Sequence, residues 1–286
     1  MATMRINWPE WQGGMNPDYQ MGNRVLNAIV PEVFDAQHVT IPVSTDADEQ
    51  GGIEGGAQLV GQQRFARDAL MKFRPQRVIT LGGDCGVSEV PFDYLHGQYP
   101  DDFGVIWLDA HPDISTIRDT HHLHEIVVAD LLHASDSEFA QQVQNPLRPS
   151  QVFFAGLQVA ALRPMDQLVK TMSMATATPQ QLGQGQPIQD WLAAHGIQHL
   201  AVHFDLDVLD PDDFRSILPA KPHFERTQFG AAIGSMTLDQ VIALLTEVSH
   251  QADIVGLSIA EHMPWDALNL HRGLNQLPIF NGGQQL

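Results

Sequence analysis

Acidic side chains and histidines recur in this sequence at spacings suited to holding positive charge. Three segments carry them: Gly82-Gly83-Asp84-Cys85, Asp109-Ala110-His111-Pro112-Asp113, and Asp205-Leu206-Asp207-Val208-Leu209-Asp210-Pro211. In extended backbone, side chains at i, i+2 and i+4 point the same way. Asp109, His111 and Asp113 therefore converge if strand geometry continues past Leu108, and Asp205 and Asp207 converge likewise. Four carboxylates in one crevice repel and raise one another's pKa values, and two divalent cations neutralise them. A carboxylate-rich set with one imidazole suits Mn²⁺ and similar ions better than a thiol-seeking metal. Carboxylates shared between two ions lower the pKa of a bound water and polarise a substrate. Taken singly, each acidic segment also reads as a solvated turn after a strand; their pairing points to a metal centre.

Each segment follows a short apolar run. The runs at 77–81, 103–108, 151–155, 199–204 and 254–259 read as strands buried on both faces, which parallel sheets require. Between them lie helical periodicities at about 57–73, 88–97, 124–134 and 188–195. The clearest is 237–250, where Leu238, Val241, Ile242, Leu245 and Val248 recur behind a Thr237 cap. Strand–helix alternation implies one doubly wound α/β sheet, and open sheets of that kind place ligand crevices at the carboxyl ends of their strands. Residues 176–187 read as a polar surface loop and residues 212–234 as a long irregular connection following an acidic motif. No internal repeat or linker appears, so residues 1–286 are read as a single domain.

The bulk numbers narrow the field. A chain of 286 residues that is 43% hydrophobic and 17% charged can bury a sizeable core. No apolar run is long enough to span a membrane, and residues 1–14 lack the basic-then-apolar pattern of a signal peptide. One cysteine, Cys85, excludes an intramolecular disulfide and fits a reducing cytoplasm. A net charge of −19 repels phosphate backbones and anionic lipid, so neither nucleic acid nor membrane is an expected partner.

The three segments resemble, in order and spacing, the GGDHS, DAHxD and SxDxDxxDP motifs of the ureohydrolases: arginase, agmatinase and formiminoglutamase. The counterparts here run from Gly82 to Gly86, Asp109 to Asp113 and His203 to Pro211, and the likeness covers about 77–264. It implies a three-layer α/β/α fold with a mainly parallel sheet, assembled as trimers or hexamers. It also implies cleavage of a C–N bond in a small guanidino or amidino substrate by metal-activated hydroxide. By the same resemblance, Asp109 and Asp205 bridge two manganese ions, Asp113 completes the first ion's set, and His111 and Asp207 serve the second. His124 aligns with the proton-shuttling histidine and Glu261 with the glutamate that meets the guanidinium. An imidazole is the side chain whose ordinary pKa suits proton transfer near neutrality, and Asp113 is placed to orient the nucleophile.

This chain departs from the pattern at several points. Cys85 stands where the family has a metal-binding histidine. As a thiolate it favours Zn²⁺, Fe²⁺ or Co²⁺ over Mn²⁺. Three readings follow: a metal-dependent amidine hydrolase with one or two ions, an impaired relative acting as an oligomeric binding protein, or a mononuclear amidohydrolase akin to the deacetylases. Arginases carry acids after their fourth strand to hold the amino acid end of arginine. Here that stretch is Gly156-Leu157-Gln158-Val159-Ala160-Ala161, without a carboxylate, which argues against arginine. Glu125 replaces the glycine beside the shuttle histidine, and Arg215, Lys221, His223 and Arg226 are cations that the 212–234 connection offers to a substrate carboxylate.

Overall fold

A computed structural model describes residues 2–277 and 279–280. Eight strands, all parallel, join in one sheet: β1 (Thr3–Asn7), β2 (Gln37–Thr40), β3 (Arg77–Leu81), β4 (Phe103–Leu108), β5 (Val152–Ala155), β6 (Ala175–Ala177), β7 (His199–Asp205) and β8 (Asp253–Ala260). Their spatial order is β2-β1-β3-β8-β7-β4-β5-β6. The last strand in sequence thus lies near the middle of the sheet, between β3 and β7.

Alternation along the strands divides the core in two. Val105, Trp107, Val152, Phe154, Ala201 and Val255 face one layer, packing with Ala66, Leu70, Val90 and Phe92 of the helices Gly56–Phe73 and Glu89–Gln98. Ile106, Leu108, Phe153, Leu200, Val202 and Phe204 face the other, against Ile188, Trp191, Val241 and Leu244 of Gln186–His195 and Leu238–Ser249. Both faces are buried, so the run-on apolar pattern of the central strands has the cause expected of it. The result is the three-layer α/β/α arrangement.

Local signals explain most of the boundaries. Thr237 caps Leu238–Ser249 by accepting a hydrogen bond from the Gln240 amide at 3.2 Å, with the Gln240 side chain reaching back to the Thr237 amide. Three strands escaped the sequence pattern. β2 and β6 are edge strands of four and three residues, with Ala177 of β6 as their only buried side chain. β1 holds only Met4 and Ile6 as large apolar residues, with Arg5 between them. Two further expectations need correcting. Residues 176–187 are not a loop: they contain the end of β6, a short helix Pro179–Leu182 and the start of Gln186–His195, all anchored by Leu182 in the second core. The helix expected over 124–134 is broken into a 3₁₀ turn, Leu123–Glu125, and a short helix, Val127–Leu131, because the Val128 amide is taken by the Asp113 carbonyl.

Close approach at the end of β3 depends on glycine. A Cβ on Gly83 would stand 1.5 Å from the backbone oxygen of Glu10, leaving no room for any side chain. Gly83→Ala is therefore expected to destabilise the protein by about 3 kcal/mol, the upper end of overpacking costs, read as a lowered urea midpoint at unchanged slope. A midpoint within 0.3 M of the parent would show that the two segments separate freely.

Candidate metal centre

The four strands β3, β8, β7 and β4 are consecutive in the sheet, and each delivers a polar residue at its carboxyl end. Cys85 follows β3, Glu261 follows β8, Asp205 and Asp207 close β7, and Asp109, His111 and Asp113 follow β4. Three overlapping groups of donor atoms lie within 4.8 Å of one another: Cys85, Asp109, Asp113 and His203; Cys85, Asp205 and Glu261; and Asp109, His111 and Asp207. Asp109 belongs to two groups and Cys85 to two, so the donors form one continuous cluster.

Convergence is achieved by turns rather than by continued strand. β4 ends at Leu108, and Asp109 Oδ1 accepts a hydrogen bond from the His111 amide at 2.7 Å, while Oδ2 accepts one from Trp107 Nε1 at 3.1 Å. Asp113 then turns inward with φ of 44°. Asp205 repeats the device, its Oδ1 accepting from the Asp207 amide at 2.6 Å at the head of the 3₁₀ turn Leu206–Val208. Glu261 has φ of 63°, and its amide donates to the Gly83 carbonyl at 2.6 Å. Two non-glycine residues held in left-handed backbone at one site are the strain that a functional site stores and the surrounding fold sustains.

His111 shows how its ring is poised. Nε2 donates to the Ala232 carbonyl at 3.1 Å, and Nδ1 lies 3.1 Å from Asp207 Oδ2 and 3.4 Å from Asp109 Oδ1. A ring nitrogen tied to a backbone carbonyl is the usual way of aiming the other at a metal. Burial disfavours the charged ring, but Asp207 and Asp109 outweigh it and hold His111 well above the ordinary imidazole value.

The carboxylates carry the opposite strain. Burial, then Asp207, pushes Asp109 up to about 6. Asp113, Asp205 and Glu261 are likewise raised well above the carboxylate range, first by burial and then by Asp109 in the case of Asp113 and by Asp207 in the cases of Asp205 and Glu261. Burial and the surrounding carboxylates also raise Cys85, whose Sγ donates to Asp205 Oδ2 at 3.0 Å. Asp207 alone is lowered, His111 overcoming the cost of its burial. Asp113 Oδ2, Asp207 Oδ1 and His203 Nε2 are buried with no hydrogen-bond partner. Buried polar atoms so placed ordinarily have partners. Cations would supply them, and the donor set of five carboxylates, two imidazoles and a sulfur fits divalent ions.

Above the cluster opens a pocket of about 180 Å³, walled by Asn16, Tyr19, Phe229 and Leu218 as well as the acids. His124 and Glu125 stand at its side. His124 Nδ1 donates to the Gly13 carbonyl at 2.9 Å. Glu125 accepts from Thr120 Oγ1 at 2.5 Å and from Arg163 at 2.6 Å, and Arg163 clasps Asp166 through two further bonds of 3.1 Å. The 212–234 connection reaches the pocket through Leu218, Phe229 and Ala231. Its cations do not: Arg215, Lys221, His223 and Arg226 line a separate hollow, where Arg226 pairs with Asp212. Arg163 is instead the cation that walls the cleft, and no motif marked it. His203 and Tyr19 were also missed. His203 was legible in principle, since it precedes Asp205 by two residues on an extended strand.

Comparison with known proteins agrees with this geometry. Residues 30–267 match the model of the Arginase family. An arginase of Eremothecium gossypii is 26% identical over 198 residues, 65% of this chain and 46% of that protein. One from Staphylococcus aureus is 22% identical, over 78% of this chain and 80% of its own length. Among solved structures, an Entamoeba histolytica arginase superposes with a TM-score of 0.73 at 14% identity, covering 92% of this chain and 91% of its own. The family match spans most of the chain and contains every acidic donor of the cluster: the protein belongs to the arginase family.

Proposed function

We propose that the protein is a metal-dependent hydrolase that cleaves a C–N bond of a small linear amidine, a guanidino or formimino compound. The observation that carries this reading is the cluster of Asp109, Asp113, Asp205, Asp207 and His111 beneath an open pocket, with buried donor atoms that have no protein partner. Asp109, Asp113, Asp205, Asp207, His111 and Cys85 would hold the ions. Mn²⁺ is the ion this carboxylate set favours, with Zn²⁺, Fe²⁺ or Co²⁺ brought into competition by the sulfur. Divalent ions held there would supply the Lewis acidity that polarises an amidine and makes a water nucleophilic.

The chain's own groups do the rest. Asp113 Oδ2, free of other partners, orients the attacking water toward the planar carbon. His124 has its Nδ1 tied to Gly13, which leaves Nε2 to carry a proton to the departing amine. Glu261 offers its carboxylate to the amidine nitrogens, beside the Tyr19 ring at the pocket wall. Glu125 and Arg163 wall the same pocket, with Arg163 held between Glu125 and Asp166, and would meet whatever part of the substrate extends past His124. The same reading implies a cytoplasmic homo-oligomer, a trimer or hexamer, built from one catalytic domain. No described helix is long and apolar enough to cross a membrane.

Cys85 favours a second reading, a family relative with weakened catalysis that acts as a binding protein. Cys85→His separates the two: hydrolysis that appears or rises at least tenfold identifies a weakened enzyme, whereas two inert proteins favour the binding role.

Three outcomes are expected. Purified protein should hold a divalent metal near stoichiometry and release urea, ammonia or formamide from some member of a guanidino and formimino panel. Protein that stays metal-free after dialysis against Mn²⁺, Zn²⁺, Fe²⁺ and Co²⁺ would remove the hydrolase reading. His124→Asn should lower kcat by about 10²–10⁴ while metal content is unchanged, as loss of a proton-transfer group does. The pH dependence has a defined sign. Asp109 has its folded pKa raised from 3.8 to about 6, so its contribution is intact below 3.8 and is lost as pH rises through 6. Metal-free protein should therefore lose on the order of 3 kcal/mol between pH 4 and 7 from this group alone, and divalent ions should cancel much of that loss. Thermal melts with and without chelator across this range read it directly; a metal-free melt independent of pH would contradict the charge crowding.

A further inference from the structure

The first motif lacks an imidazole, and a second histidine lies close to its cysteine. His203 lies on β7, fully buried, with its ring stacked 3.7 Å from that of Trp107 across the β4–β7 pairing. Its Nδ1 is 2.8 Å from Ser88 Oγ, which is 2.6 Å from Ser258 Oγ. The opposite nitrogen, Nε2, has no hydrogen-bond partner and lies 3.8 Å from Asp109 Oδ2. With Cys85 Sγ and a carboxylate oxygen from each of Asp109 and Asp113, it completes a set of four donors within 4.8 Å of one another.

We propose that His203 Nε2 is a metal ligand, and that Cys85, His203, Asp109 and Asp113 together form a thiolate–imidazole–dicarboxylate position beside a harder one at His111, Asp109 and Asp207. The inference rests on reading the cluster as a metal centre and goes beyond it in assigning a ligand and an ion preference. Four donors about 2.0–2.3 Å from one ion stand roughly 3.3–3.8 Å apart in a tetrahedron; the His203–Asp109 pair is already 3.8 Å apart, and the others, all within 4.8 Å, must draw in by up to about 1–1.5 Å. Orientation is already set. In the tautomer that ligates, Ser88 accepts from Nδ1–H and donates to Ser258, which fixes the ring and leaves the Nε2 lone pair facing inward, as a supporting shell does around zinc. Stacking on Trp107 prevents the ring from rotating away. Cysteine at position 85 thus does not simply delete a nitrogen donor: the nitrogen arrives from β7, two strands away in the sheet, and the sulfur shifts the position toward Zn²⁺, Co²⁺ or Fe²⁺ and away from Mn²⁺. The thiol proton leaves to solvent as the ion binds.

The test uses the whole protein stripped of metal, with Co²⁺ and ¹¹³Cd²⁺ as probes. One equivalent of Co²⁺ should produce a sulfur-to-metal charge-transfer band that Cys85→Ser abolishes. In ¹⁵N-histidine-labelled protein loaded with ¹¹³Cd²⁺, two histidines should show nitrogen–cadmium coupling, His111 through Nδ1 and His203 through Nε2. His203→Gln should weaken binding of the thiolate-linked ion by more than about 100-fold, beyond what losing a merely supporting group costs. Coupling at His111 alone in the unsubstituted protein overturns the assignment, whether or not the variant folds. So does a His203→Gln protein with Co²⁺ affinity within tenfold of the parent and the same spectrum. These readouts are independent of turnover. Amidine hydrolysis without His203 coupling removes only this proposal; coupling at both histidines in a protein inert toward every amidine keeps it and removes the hydrolase reading.

Discussion

Crowding of like charge where water is excluded governs this molecule. Asp109, Asp113, Asp205, Asp207 and Glu261 are all at most 7% exposed, and they converge at the carboxyl ends of three adjacent strands, β8, β7 and β4. Isolated ionised carboxylates in such surroundings are costly, so they take up protons, pair with a cation, or both. The unoccupied acceptors of Asp113 and Asp207 and the raised carboxyls of Asp109, Asp205 and Glu261 are two expressions of that cost. The rest of the fold is arranged so that the acids cannot retreat. Trp107 holds Asp109, backbone amides hold Asp109 and Asp205, and left-handed turns hold Asp113 and Glu261.

Sequence reading located this centre because parallel strands buried on both faces leave an unmistakable apolar run, and the acids begin where each run stops. β3 and β4 begin and end where their apolar runs do. The route by which the acids converge was not legible. Alternation along an extended chain suggested that Asp109, His111 and Asp113 share a side, whereas a side-chain-to-backbone turn and a left-handed residue bring them together. Edge strands were lost for a related reason. β2 and β6 bury too little to show a pattern and form because β1 and β5 offer them a hydrogen-bonding edge.

Residues that act through tertiary position were the least visible. Nothing near Arg163 distinguishes it from any other arginine of a loop, yet its guanidinium closes one wall of the cleft through Glu125 and Asp166. His203 lies inside a recognised motif but on an apolar strand, where a histidine reads as packing. Its meaning depends on Cys85, 118 positions earlier and two strands away. The cations of the 212–234 connection illustrate the converse. Charge alone suggested a role at the cleft, and Arg226 is instead engaged with Asp212 and the Pro219 carbonyl on a separate surface.

The position of β8 bears on how the molecule is made. Of the described strands this one is synthesised last, yet it is the wedge between β3 and β7. Until it arrives, a growing chain holds two unjoined half-sheets, each with a raw apolar border, and Cys85 has no route to Asp205 or Glu261. Long-range pairing of this kind is slow and leaves edges exposed meanwhile. An ion held by the complete cluster would therefore enter at the end of assembly, as a latch on a finished sheet rather than as a seed for one.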